Sequence, residues 1–318
     1  MSNKYHFCLL LSIYFRKKNV VFAVMSVNIK QKLITELLKM EKSQKKLGII
    51  AGGTNLPKML IDHCLDTGRE FFVLAIEGNA DKAAFSPLIP HKWIRIGQAG
   101  TGFKTFADEG VDEVVMIGTI HRPTLSELVP DLRTAAFFAK IGMKALGDDG
   151  ILRALIKEIE SENMRVVGIH EVMPELLAKE GVLTKHKPDK QAEADIERGI
   201  DVGLALGRLD VGQSVIVQQG LVLGVEGIEG TDELVRRCGT YQRKGAAGIL
   251  VKLRKPQQDL RIDLPAIGTR TIENLHQAGF RGLAVHAGNA LMVDAEEVVK
   301  LADKYGMFIK GIVPEEKK

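Results

Sequence analysis

The stretch GIIAGGTNLP, residues 48–57, sets the fold. Its apolar start reads as a buried strand and the Gly52–Gly53 pair as a tight turn. Pro57 suits the first position of a helix, where its fixed φ helps and its missing N–H costs nothing. The helix continues over residues 58–67 until Gly68 stops it. Further on, short apolar runs predict strands at residues 71–76, 93–97, 113–118 and 165–169. Helices are predicted ahead of Gly110 and over 132–143 and 151–161, the last capped by Asp148 or Asp149. Strands alternating with helices predict an α/β, Rossmann-like domain built on a parallel sheet over residues 46–182.

Beyond His170 the pattern changes, and a distinct mixed α+β domain is expected over residues 183–318. Ile196, Ile200 and Leu204 recur every four residues and give one buried helical stripe. The strands SVIVQ and LVLGVE, joined by Gln219 and Gly220, read as a hairpin. Gly288 and Asn289 in HAGNAL suggest a second hairpin turn. Asp294 with Glu297 suggests a capping box for a helix that runs to Tyr305 and stops at Gly306.

A chain of 318 residues exceeds one ordinary core, which agrees with two domains. The net charge of +4, with no interleaving of basic and aromatic residues, gives no nucleic-acid partner. Cys8, Cys64 and Cys238 form no CxxC pair. That spacing disfavours a zinc site or a disulfide framework and fits a cytoplasmic, reducing environment. Residues 1–45 read as an extension or a misassigned start, with Met25 and Met40 as alternatives. Their apolar runs are broken by Arg16, Lys17 and Lys18, short of the roughly 20 apolar residues that cross a membrane.

Chemistry-bearing residues gather at predicted strand ends. Gly52, Gly53 and Asn55 could bring backbone N–H groups to a phosphate or uridine, although two glycines also make a plain tight turn. Glu77 ends the second strand where a ribose-binding carboxylate often sits. Arg122 follows another strand and could clamp a phosphate, and Asp149 and His170 are further candidates for substrate contact. The turn GVEGIEGTDEL, residues 224–234, is the most informative. One of Thr231 and Asp232 is expected to cap the next helix, which leaves Glu226 and Glu229 either as oxygen ligands for a hard divalent ion or as parts of a plain acidic exposed turn, the ligand reading being favoured. In KPQQDLRIDLPAIG, residues 255–268, Lys255, Gln258 and Arg261 are expected to enter a cleft and meet a diphosphate, with Asp263 orienting Arg261. The lack of a GxGxxG spacing disfavours an NAD-dependent oxidoreductase.

Taken in order, GIIAGGTNLP, GDDGILR, HEVMPELLAKEGVLT, GVEGIEGTDELVRR, KPQQDLRIDLPAIG and AGFRGLAVHAGNALMVD resemble the UDP-2,3-diacylglucosamine pyrophosphatases of lipid A biosynthesis of the type found in many Gram-negative bacteria that lack the calcineurin-like enzyme. The likeness spans residues 46–313. It implies a Rossmann-like domain and a separate C-terminal catalytic domain with a lipid-linked UDP-sugar held between them. It also implies hydrolysis aided by a divalent metal, Mg2+ first, giving UMP and diacylglucosamine 1-phosphate, with water attacking the phosphorus nearer the sugar. The family's essential acid falls on Asp232, as metal ligand or water activator. A lipid substrate further implies peripheral contact at the cytoplasmic face of the inner membrane, and a homo-oligomer stays open. The runner-up reading is a nucleotide-binding regulatory module that does not hydrolyse.

Overall fold

The computed structural model describes residues 45–120, 130–141 and 148–314. The first sheet holds β1 (Leu47–Ala51), β2 (Phe71–Ile76), β3 (His91–Ile94), β4 (Glu113–Ile117) and β5 (Arg165–Val166) in the order β3-β2-β1-β4-β5. Every pairing is parallel. Helix α1 (Leu56–Thr67) covers one face with Leu60, Ile61 and Cys64. Helices α2 (Ala99–Asp108) and α4 (Asp148–Glu160) cover the other with Phe103, Phe106, Ile156 and Ile159. Helix α3 (Leu132–Ile141) packs beside α2, and a short α5 (Ile169–Val172) follows β5. The Rossmann-like order is therefore present, with its switch point between β1 and β4.

The second sheet is mixed, in the order β6-β13-β11-β9-β7-β8. Its strands are β6 (Gly181–Val182), β7 (Ser214–Gln218), β8 (Leu221–Val225), β9 (Ile249–Lys252), β11 (Gly282–His286) and β13 (Phe308–Ile312). β9, β11 and β13 run parallel, while β6, β7 and β8 pair antiparallel. Helix α6 (Lys190–Arg208) packs on one face through Ala192, Ile196 and Leu204. The opposite face is covered by α7 (Gly230–Gly239), α8 (Thr269–Gln277) and α9 (Ala295–Lys304). Each fully buried Leu, Ile or Val contributes roughly 1.5–3 kcal/mol. Two local devices fix this half. Asp189 caps α6 by accepting the Ala192 N–H at 2.8 Å. Buried Asp195 accepts the N–H groups of Gln219 and Gly220 at 3.0 and 2.7 Å, which locks the β7–β8 hairpin in its left-handed turn.

Three local expectations differ from the structure. The residues after β11 make no hairpin: β12 (Leu291–Met292) pairs in parallel with β10 (Ala266–Ile267) in a separate small sheet, because Gly288 and Ala290 bond across to Ala178 instead. Asp294 precedes α9 in a left-handed conformation, with φ 56°, and its carboxylate caps no N–H. The third and fifth strands stop early, at Ile94 and Val166, and Ile169 already opens α5. The leader and Arg122 lie outside the described residues, as does the side chain of Asp149.

Gly118 is the tightest point of the first domain. With φ +91°, a Cβ there would sit 2.2 Å from the Gly53 carbonyl oxygen. Gly118→Ala is expected to cost about 3 kcal/mol or more in urea unfolding, and a loss below about 1 kcal/mol would contradict this reading.

Candidate active site at the carboxyl edge of the second sheet

The apolar strand β9 ends in a lysine. Lys252 lies opposite Ser214 on β7 and Val285 on β11, with 7% of its surface exposed. Its Nζ donates to the Ala266 carbonyl at 3.0 Å. Burial holds the ammonium below the usual lysine range, while Glu226, then Asp232, then Asp263 pull it back up. Glu226 and Asp232 stand six residues apart in the turn between β8 and α7, Asp263 lies in the loop after β9, and all three act electrostatically on Lys252.

Glu226 follows β8 and is anchored by its N–H, which donates to Ser214 O at 2.9 Å. It is 7% exposed, and its Oε1 accepts from Thr231 Oγ1 at 3.2 Å. Its Oε2 is buried without a hydrogen-bond partner. Gly230, at φ +79°, turns the chain into α7 and places Asp232 in the first turn, where an anion suits the helix dipole. Neither Thr231 nor Asp232 caps that helix. Asp232 instead reaches α8: Asn274 Nδ2 donates to Oδ1 and Arg270 Nη2 pairs with Oδ2, each at 2.9 Å. The Arg270 pair is exposed, so it contributes at most about 1 kcal/mol. Asp263 accepts from the buried Gln258 amide.

The remaining candidates from the sequence lie elsewhere. Glu229 turns to Arg237 at 2.8 Å and accepts the Gly227 N–H, so it stiffens the turn. Lys255 pairs with Asp210 at 2.6 Å. Arg261 is taken by Asp259 and Glu160, at 2.8 and 2.9 Å, and holds the Asp259 carboxyl below its usual range. The cations facing the acids are therefore Lys252 and Arg270, not Lys255 and Arg261, and Asp263 serves Gln258 and Lys252 in place of Arg261. In the first domain, Gly52 and Gly53 donate their N–H groups to Ile117 O and Thr119 O at 2.8 and 2.7 Å. Those donors extend the sheet and are spent, which corrects the expected phosphate cradle. Asn55 precedes α1 without a side-chain cap, and Glu77 is exposed just past β2. His170 packs on Gly168 beside Leu260 O at the joint between the halves, its Nδ1 buried and unpartnered.

Among the described residues no group of three His, Cys, Asp or Glu side chains is spaced to hold a metal ion. Magnesium sites often use only one or two carboxylates and take further oxygens from water and substrate phosphate. Asp232 and Glu226, both in the segment that joins β8 to α7 and the second with a buried, unpartnered Oε2, are carboxylates of that kind.

Residues 46–176 match the family model described as the LpxI N-terminal domain, and residues 179–310 that of the LpxI C-terminal domain. The chain belongs to the LpxI family. It is similar to "UDP-2,3-diacylglucosamine pyrophosphatase LpxI" of Caulobacter vibrioides (strain ATCC 19089 / CIP 103742 / CB 15). The two are 40% identical over 280 residues, covering 86% of this chain and 99% of the relative. The whole lysine–carboxylate cluster falls within the stretch that matches the LpxI C-terminal domain.

At the same edge His286 closes β11. Burial, then nearby Arg254, pushes its imidazole down to about 4. The folded protein thus keeps His286 neutral, whereas the unfolded chain takes up a proton near the ordinary value of about 6.5. Its stability contribution is present above about pH 6.5 and is lost as pH falls towards about 4. His286→Gln is expected to flatten the urea-unfolding loss over that window by about 1–2 kcal/mol, after allowing for solvent screening. An unchanged pH slope would contradict it.

Proposed function

We infer that the chain hydrolyses UDP-2,3-diacylglucosamine to UMP and 2,3-diacylglucosamine 1-phosphate in lipid A biosynthesis. One observation supports this beyond the family likeness: at the carboxyl edge of the sheet in the LpxI C-terminal domain a buried lysine, Lys252, feels the charges of Glu226, Asp232 and Asp263. Ligands collect at such edges in α/β folds. The relative carries the name of that activity.

Asp232, Glu226 and Lys252 carry the chemistry in this reading. Lys252 offers the N–H groups of its Nζ to the phosphate oxygens as negative charge builds on them, in surroundings where water screens them little. Asp232 stands in the first turn of α7 with one oxygen fixed by Asn274, so its position is set before substrate arrives. Glu226 keeps an oxygen free for a water or a cation. A divalent ion, Mg2+ by preference, held by Asp232 with Glu226, would polarise the phosphoryl oxygens and lower the pKa of attacking water. Water forms the new P–O bond at the phosphorus nearer the sugar, the bridging P–O bond breaks, and UMP leaves. The two acyl chains bring the protein to the cytoplasmic face of the inner membrane as a peripheral protein. No helix among the described residues is long and apolar enough to cross a membrane.

Asp232→Asn is expected to lower UMP release by about 1,000-fold while nucleotide affinity stays near wild type. In H2(18)O the label is expected in the sugar 1-phosphate and not in UMP. Full activity of the variant, or label in UMP, would contradict the assignment. Nucleotide binding by the wild type without any hydrolysis would favour a regulatory module.

A further inference from the structure

One helix holds Asp232 from two sides. Arg270 and Asn274 stand four residues apart on α8 and so face the same way. Each takes one oxygen of the Asp232 carboxylate at 2.9 Å. The two grips differ in kind. Asn274 is half-buried, whereas Arg270 keeps 79% of its side chain in solvent, where its ion pair is screened and easily broken.

The position is also unusual for a cation. Arg270 is the second residue of α8, where the helix dipole favours an anion, so a guanidinium there depends on an anion in front of it. Among the described residues Asp232 is its one ion-pair partner. A phosphate would be a better partner, since the fork of a guanidinium matches two phosphate oxygens at once. Lys252 cannot exchange in the same way, being buried and bound to Ala266 O.

We infer that Arg270 is an exchanging anchor, shielding Oδ2 of Asp232 in the substrate-free protein and moving to the phosphate oxygens of the bound diphosphate, which leaves Asp232 open to a divalent cation. This rests on the pyrophosphatase reading above. It ties two opposite effects to one side chain: without Arg270 a metal ion alone binds more tightly, and the diphosphate binds less tightly. A purely structural role would not split the two in that direction.

The test uses the full chain as wild type, Arg270→Ala and Arg270→Lys. Mn2+ is titrated without substrate and followed by electron paramagnetic resonance, and UMP release is measured separately. Arg270→Ala is expected to bind Mn2+ about threefold to tenfold more tightly, with KM for UDP-2,3-diacylglucosamine raised about tenfold and kcat changed less. Arg270→Lys is expected to keep wild-type Mn2+ affinity and recover part of KM. Unchanged or weaker Mn2+ binding by Arg270→Ala, or an unchanged KM, would overturn the inference. A wild type that releases no UMP in either Mg2+ or Mn2+ would overturn the pyrophosphatase reading instead, and the titration would still decide whether Arg270 shields Asp232.

Discussion

Burying the ammonium of Lys252 at the end of a central strand is the constraint on which the rest of the second domain depends. An isolated charge in that position would cost several kcal/mol, and it persists only with hydrogen bonds and opposite charges around it. The hydrogen bond comes from Ala266 O and the charges from Glu226, Asp232 and Asp263. Bringing those charges to bear on Lys252 requires the β7–β8 hairpin to present Glu226, the Gly230 turn to place Asp232 in the first turn of α7, and the loop after β9 to fold back through Gln258 and Asp263. The hairpin in turn depends on Asp195, buried in α6 on the other face of the sheet. A charge in the core thus sets the placement of four chain segments.

The loop after Lys252 also joins the two halves. Arg153 of α4 donates to Gln257 O at 2.7 Å, and Arg261 pairs with Glu160 at the end of the same helix. Ile262 packs with one core of the first domain, and Leu264 and Ala266 with the other. The chain that leaves the lysine therefore crosses to the first domain and returns at Ala266, beside the same Nζ. Arg261, expected to meet substrate, is used in this strap, which holds the carboxyl edge of the second sheet against its neighbour.

Much of this was legible in the sequence where a local rule decides it. GIIAGGTNLP gives a strand, a turn and a Pro-led helix, and the helix stripe at Ile196, Ile200 and Leu204 faces its sheet as patterned. The acidic turn lies between a strand and a helix, with Asp232 in the first helical turn. What local rules could not decide is which cation each acid meets, because ion pairing over 20 to 40 residues of sequence depends on strand order. Lys255 and Arg261 stand out in a charged run, yet both are neutralised nearby. Lys252 closes an apolar strand, ILVK, and a lysine at that position, on a strand with no polar face, was the available signal. Arg270 and Asn274 carry only their spacing of four on a helix opening as TRT. The glycine turn misled for a physical reason: its glycines serve the close approach of two backbones, and their N–H groups are consumed in doing so.

The central claim is that the diphosphate is bound and cut against Lys252 and Asp232. A crystal structure of the Asp232→Asn protein with intact UDP-2,3-diacylglucosamine tests it most directly. The account predicts phosphate oxygens within about 3 Å of Lys252 Nζ. A diphosphate bound at the Gly52–Gly53 turn, more than about 10 Å from that nitrogen and beyond any direct hydrogen bond, would contradict it.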